Sequence, residues 1–216
     1  MEKKEFLDEK IIELLDQVET YTHEQQPMND NVQQEQEEVV EQSLETYFVI
    51  DRKQVAFERK IIIENKLTMM LPKDFTEMTS EVAKMKYPSE ERPNLILTDP
   101  SGTVNFWVST TEEFLPEKEI ENVRDQMFSM IQRLNPGIKP QQSGVEQIMS
   151  KTFAYIEYSN PAIEGKVYNL MFIFTINDKM TIACFNCSTK EAKYWKSPMF
   201  EMMKSMVFTS SEKEGN

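Results

Sequence analysis

A change of hydrophobic period near residue 135 constrains the fold of this chain more than any other feature. Before it, Ile120, Val123, Met127, Ile131 and Leu134 fall on one helical stripe, with Phe128 and Met130 beside it. Pro116 opens this helix over residues 117–134, and Asn135-Pro136-Gly137 closes it. After it the period is two, and segments 144–149, 152–159, 166–176 and 179–187 read as four strands. Their connections are Ser150-Lys151, residues 160–165 and Asn177-Asp178, and connections this short make antiparallel neighbours. Within 166–176, Val167, Asn169, Met171, Ile173 and Thr175 alternate with Tyr168, Leu170, Phe172, Phe174 and Ile176. Both sets are largely apolar, which predicts a central strand covered on both faces.

The segments on either side fit the same plan. Residues 47–50, then Val55, Phe57 and Ile61-Ile62-Ile63, then 66–71 up to Pro72, read as short strands. Residues 74–84 suit a short helix or turn. Segments 94–98 and 103–109 flank Asp99-Pro100-Ser101-Gly102, whose proline and glycine suit a type I turn. A last helix runs from Ser188 to about Met206. Ser188 and Glu191 form a capping box for it, and Pro198 is expected to kink or split it. Strands, a long helix, an antiparallel meander and a closing helix together predict an α+β domain over residues 46–208, an antiparallel sheet flanked by helices.

Charge separates this domain from what precedes it. Residues 1–45 carry fourteen Asp/Glu and three Lys, whereas the remaining residues carry 23 acidic and 21 basic side chains. Most of the formal −13 therefore belongs to an acidic leader. In residues 1–20, Leu7, Ile11, Leu14 and Val18 mark an amphipathic helix over 4–19. It would pack on its own domain, self-associate with a second copy, or fold on a partner. Residues 21–45 form an acidic Gln/Glu-rich linker with too little apolar surface to offset ordering entropy. Residues 209–216 are a polar tail.

Composition excludes several partners and narrows the compartment. Lys and Arg are dispersed among Asp and Glu, so no cluster offers the counterion release on which nucleic-acid binding rests. The leader would also repel an anionic membrane surface. A basic protein partner suits it better. No stretch reaches the ~20 apolar residues of a membrane span, so no membrane insertion is expected. Met1-Glu2-Lys3-Lys4-Glu5-Phe6-Leu7-Asp8 does not read as a signal peptide, and the expected compartment is the cytoplasm.

No catalytic or metal-ligand set assembles from the sequence, and no cofactor is implied. His23 is the lone histidine and falls in the linker, with no serine that any spacing places beside it. No glycine-rich phosphate cradle is present. Cys184-Phe185-Asn186-Cys187 is formally a CxxC. Its odd separation along a strand points the two side chains to opposite faces, which predicts two free thiols. The aromatic residues and the fifteen methionines read mainly as core, and methionine also builds adaptable binding surfaces. Tyr155 shares a strand face with Phe153, and Glu157 continues it. The candidate binding set is Trp107, Tyr155, Glu157, Trp195, Met199 and Met203, as a groove near the last helix. The leading functional reading is a non-enzymatic interaction or accessory module. The alternative is a small-molecule-binding domain or uncharacterised enzyme. Its pocket would lie between sheet and helices, with Tyr155, Trp107 and Trp195 as aromatic wall and Glu157 or Arg124 as polar contact.

Three stretches carry a resemblance to a known superfamily. They are Lys66-Leu-Thr-Met-Met-Leu-Pro72-Lys-Asp-Phe75, then Tyr87-Pro-Ser-Glu-Glu-Arg-Pro93-Asn-Leu-Ile-Leu-Thr-Asp-Pro100 leading into 104–109, then the helix 117–134 with the meander and closing helix up to Phe208. In this order they resemble the Mog1/PsbP-like superfamily, and its bacterial DcrB-like members in particular. The resemblance implies an antiparallel sheet flanked by helices and no shared catalytic residues. The superfamily includes envelope lipoproteins, a photosystem extrinsic subunit and a nuclear transport cofactor. This chain differs from the exported members in lacking a lipobox cysteine and in adding the acidic leader.

Overall fold

The structure is a computed structural model that describes residues 43–45, 47–89, 92–162 and 165–209. The predicted helix over 4–19, nearly all of the linker and residues 210–216 lie outside the described residues. All the described residues fall within one compact unit, Glu41–Asn216.

Seven strands form one antiparallel sheet. They are β5 (Thr76–Glu77), β6 (Leu95–Thr98), β7 (Asn105–Phe114), β8 (Lys139–Ile148), β9 (Lys151–Ala162), β10 (Gly165–Ile176) and β11 (Lys179–Ser188), in the spatial order β5-β6-β7-β11-β10-β9-β8. A smaller sheet, ordered β12-β4-β3, pairs β3 (Phe57–Ile63), β4 (Leu67–Pro72) and β12 (Val207–Phe208). β1 (Phe48–Ile50) and β2 (Lys53–Val55) form a hairpin. Among the described residues the helices are α1 (Ser80–Lys86), α2 (Ile120–Leu134) and α3 (Thr189–Lys204), with a 3-10 turn, Glu117–Glu119, leading into α2.

Short connections set this topology. Two-residue turns at Met149-Ser150 and Asn177-Asp178 have positive φ at both positions, 50° and 73° in the first and 51° and 59° in the second. That backbone matches the right-handed twist of the flanking strands and closes β8–β9 and β10–β11 as tight hairpins. The first turn lies one residue earlier than the Ser150-Lys151 expected, and β8 begins at Lys139, not residue 144. The exposed Lys139-Pro140-Gln141-Gln142 stretch carries no apolar alternation to announce it. Gly144 faces Tyr155 across the β8–β9 pair, and a Cβ there would come within 2.8 Å of the tyrosine ring. Between β6 and β7, Gly102 N–H donates to the Asp99 carbonyl (2.9 Å) as in the expected type I turn. The Asp99 carboxylate accepts from the N–H groups of Thr103 (2.7 Å) and Val104 (2.8 Å).

The two faces of the large sheet have different covers. On one side α2 lays Ile120, Val123, Met127, Phe128 and Ile131 over Ala154, Ile156, Met171, Ile173 and Cys184. On the other, α3 and the small sheet bury Phe106, Phe153, Phe172, Phe174 and Phe185, none more than 1% exposed, with Met199, Met202 and Met203 at 0%. Both faces of β10 are therefore covered, as its two apolar parities predict. Each such phenylalanine contributes about 2–3 kcal/mol by leaving water.

α3 begins at the predicted capping box: Ser188 Oγ accepts from Glu191 N–H (3.3 Å), and Glu191 Oε2 accepts from Ser188 N–H (3.3 Å). The split expected at Pro198 does not occur, and α3 runs on to Lys204. Pro198 is itself buried, and tertiary packing outweighs the missing backbone hydrogen bond there.

Candidate functional site

The sheet's α2 face is apolar over most of its area but turns polar at one end. Register places Asn105 of β7 opposite Asn186 of β11, and Asn186 opposite Asn169 of β10. One row further out, Asn160 of β9 pairs with Val167. Adjacent strands lie ~4.8 Å apart, so these carboxamides succeed one another across the sheet. They are tied together. Thr98 Oγ1 donates to Asn105 Oδ1 (2.8 Å), Asn105 Nδ2 to Asn186 Oδ1 (2.9 Å), and Asn186 Nδ2 to the Tyr87 hydroxyl (3.2 Å). Asn169 Nδ2 donates to Asn160 Oδ1 (2.7 Å) and to the Val167 carbonyl (3.3 Å).

This row floors a groove of about 480 Å³, within the ordinary size range of a ligand site. Trp107 is half-buried in its wall, one row from Asn105 on the same strand face. Tyr87, Lys86 and Lys166 also line it, and the Lys86 ammonium is hydrogen-bonded to the Gly102 carbonyl. Among the described lining residues there is no Asp, Glu or His. Cys187 borders the groove, but burial pushes its thiol up to about 12, so it stays protonated near neutral pH. Burial also raises the Tyr87 phenol, to about 12, which keeps it an intact hydroxyl.

The candidate binding residues do not share one surface. Trp107 lies on the α2 face, while Tyr155, Trp195, Met199 and Met203 belong to the core under α3. Met199 and Met203 are fully buried. Trp195 is 9% exposed, its ring 6.0 Å from that of Phe75. The Tyr155 ring meets Phe200 edge-on at 5.3 Å, and its hydroxyl accepts from Gln142 Nε2 (2.9 Å). Glu157 does continue the Tyr155 face, but it is fully buried, with Lys196 Nζ of α3 2.6 Å from Oε1. That contact is an ion pair without the alignment of a hydrogen bond, and neither Glu157 oxygen nor the buried Tyr168 hydroxyl has a hydrogen-bond partner among the described residues. Arg124 is held along α2 by Glu121 (3.3 Å) and Asp125 (2.8 Å).

The two cysteines stand on opposite faces of β11, Cys184 toward α2 and Cys187 toward α3, and both are free. Among the described residues no group of three His, Cys, Asp or Glu could hold a metal ion. No helix among them is long and apolar enough to cross a membrane.

The asparagine floor was not singled out from the sequence, though a signal for it exists. Asn169 and Asn186 each stand in a strand at a parity occupied mainly by apolar side chains, and asparagine is depleted in strands.

No known protein family matches the sequence, and no curated protein is significantly similar to it. Solved structures do match the fold. Cyanobacterial PsbP (CyanoP) from Synechocystis sp. PCC 6803 superposes with a TM-score of 0.53 at 11% identity, covering 70% of this chain and 92% of that one. LpqN of Mycobacterium tuberculosis, described as involved in cell envelope biogenesis, covers 76% of this chain and 98% of its own, at 10% identity and a lower TM-score of 0.48. On the first of these matches, the domain has a PsbP-like α+β fold. The likeness is one of fold and does not single out the DcrB-like branch.

Proposed function

We propose that this protein acts by binding, as a non-enzymatic interaction or accessory module, and that the asparagine-floored groove is its recognition site. One observation carries the reading: two hydrogen-bonded pairs of carboxamides and an indole line an open groove that brings no carboxylate or imidazole among its described lining residues. Such a lining orients a partner through neutral hydrogen bonds and an aromatic face. It offers no activated nucleophile with a base beside it. The acidic leader engages a basic segment of the partner and speeds encounter, an acidic group of the same partner meets Lys166 in the groove, and the module works in the cytoplasm.

The test is affinity capture from extract at low salt, comparing the full chain with Lys166→Glu and with a chain lacking residues 1–45. The proposal expects one retained species with the full chain, reduced by Lys166→Glu, and captured more slowly without the leader. Equal retention by Lys166→Glu and the full chain would exclude the groove as the recognition site, and no retained species with any of them would exclude the binding role.

A further inference from the structure

The groove's charge runs against that of the chain. The protein carries a formal −13, yet the charged side chains among the described lining residues are two lysines, Lys86 and Lys166. Lys86 is partly committed to the Gly102 carbonyl, whereas Lys166 is exposed at the start of β10. An anionic group entering the groove therefore meets positive charge at its mouth. Inside it meets an indole face and a row of carboxamides.

The carboxamides present a pattern as well as polarity. Asn169 uses its Nδ2 on Asn160 and Val167, and its Oδ1 accepts one long, weak hydrogen bond from the Cys184 thiol at 4.0 Å, which leaves it acceptor capacity. Neighbouring Asn186 has the opposite state. Its Oδ1 is taken by Asn105, and its Nδ2 spends one of two hydrogens on Tyr87. An acceptor on β10 thus stands next to a donor on β11, one strand spacing apart. That pair complements a base edge that sets a donor beside an acceptor, as the Watson–Crick edge of each nucleobase does. Trp107 supplies a stacking surface for such a ring.

Resting on the groove as recognition site, we infer that its ligand is a nucleoside monophosphate. The base lies against Trp107 with its Watson–Crick edge on Asn169 and Asn186, and the phosphate lies at Lys166 and Lys86. A polynucleotide is not implied, because one phosphate needs only this local charge, whereas a polymer would run against the acidic remainder.

The experiment is calorimetric titration of the full chain with adenosine monophosphate, cytidine, guanosine and uridine monophosphates, adenosine, and inorganic phosphate. Trp107 fluorescence is followed in parallel, since Trp195 is 9% exposed and largely shielded. Saturable binding of the nucleoside monophosphates below ~1 mM is expected, with indole quenching, and about tenfold weaker binding of adenosine and of phosphate. Lys166→Glu, at an exposed position, should weaken the nucleotide about tenfold without changing the melting temperature. Absence of saturation at ~1 mM, equal affinity for adenosine alone, or equal affinity for phosphate alone would each overturn the assignment. If no nucleotide binds while Lys166→Glu still abolishes capture of a protein, the nucleotide falls and the groove as recognition site stands.

Discussion

Asparagine is a poor strand former because its side chain competes for nearby backbone groups. Asn105 and Asn169 nevertheless sit mid-sheet at 5% and 8% exposure. Their cost is offset by the hydrogen bonds of Asn105 with Thr98 and Asn186 and of Asn169 with Asn160, at about 1 kcal/mol per hydrogen bond. At this same scale the cysteines make a prediction. Both thiols are raised by burial from an ordinary value of 9.0, Cys187 to about 12 and Cys184 beyond it. Above pH ~9 the unfolded chain sheds these protons while the folded chain keeps them, so stability falls as pH rises from there. Urea unfolding midpoints should decline steadily from pH 9 to about 11, and less steeply in Cys184→Ala, which also lacks one titrating thiol. Near pH 8 a thiol reagent should modify neither cysteine before unfolding and both after it.

Among the elements, the hairpins show where sequence reasoning succeeds and where it stops. Asn177-Asp178 is legible because both residues tolerate positive φ, and the strands around it are long and apolar. Met149-Ser150 adopts the same backbone with residues unsuited to it, so nothing local marked the true turn. The strand before it is also exposed along most of its length. Replacing Met149, which is 64% exposed, with Asn and Ser150 with Gly should relieve this strain. The double variant should gain about 1 kcal/mol in denaturant titrations. An unchanged or lowered midpoint would mean that this turn is not of the assigned type. Pro198 teaches a related lesson: a local helix-breaking signal gives way when the residue is buried in a well-packed face.

For the molecule as a whole, the α+β order of elements was readable because periodicity reports which faces are buried, and the sheet here is buried on both. The groove was not readable, because four residues from four strands meet only through register, and no short motif joins residues 105, 160, 169 and 186. The candidate set chosen for aromatic content was divided by the sheet itself, Trp107 on one face and Tyr155 and Trp195 on the other. Aromatic residues in a two-sided sheet mostly fill core, and the exception was the one beside a polar row. The central claim is that this row is where the protein binds. Its most direct test is nitrogen–proton correlation spectroscopy of the full chain during titration with adenosine monophosphate. The account predicts that the side-chain amide signals of Asn105, Asn169 and Asn186 and the indole signal of Trp107 move together, while the backbone signals of Ile61, Ile62 and Ile63 on β3 stay fixed. Shifts confined to β3 or to the outer face of α3, with the four groove signals unmoved, would contradict it.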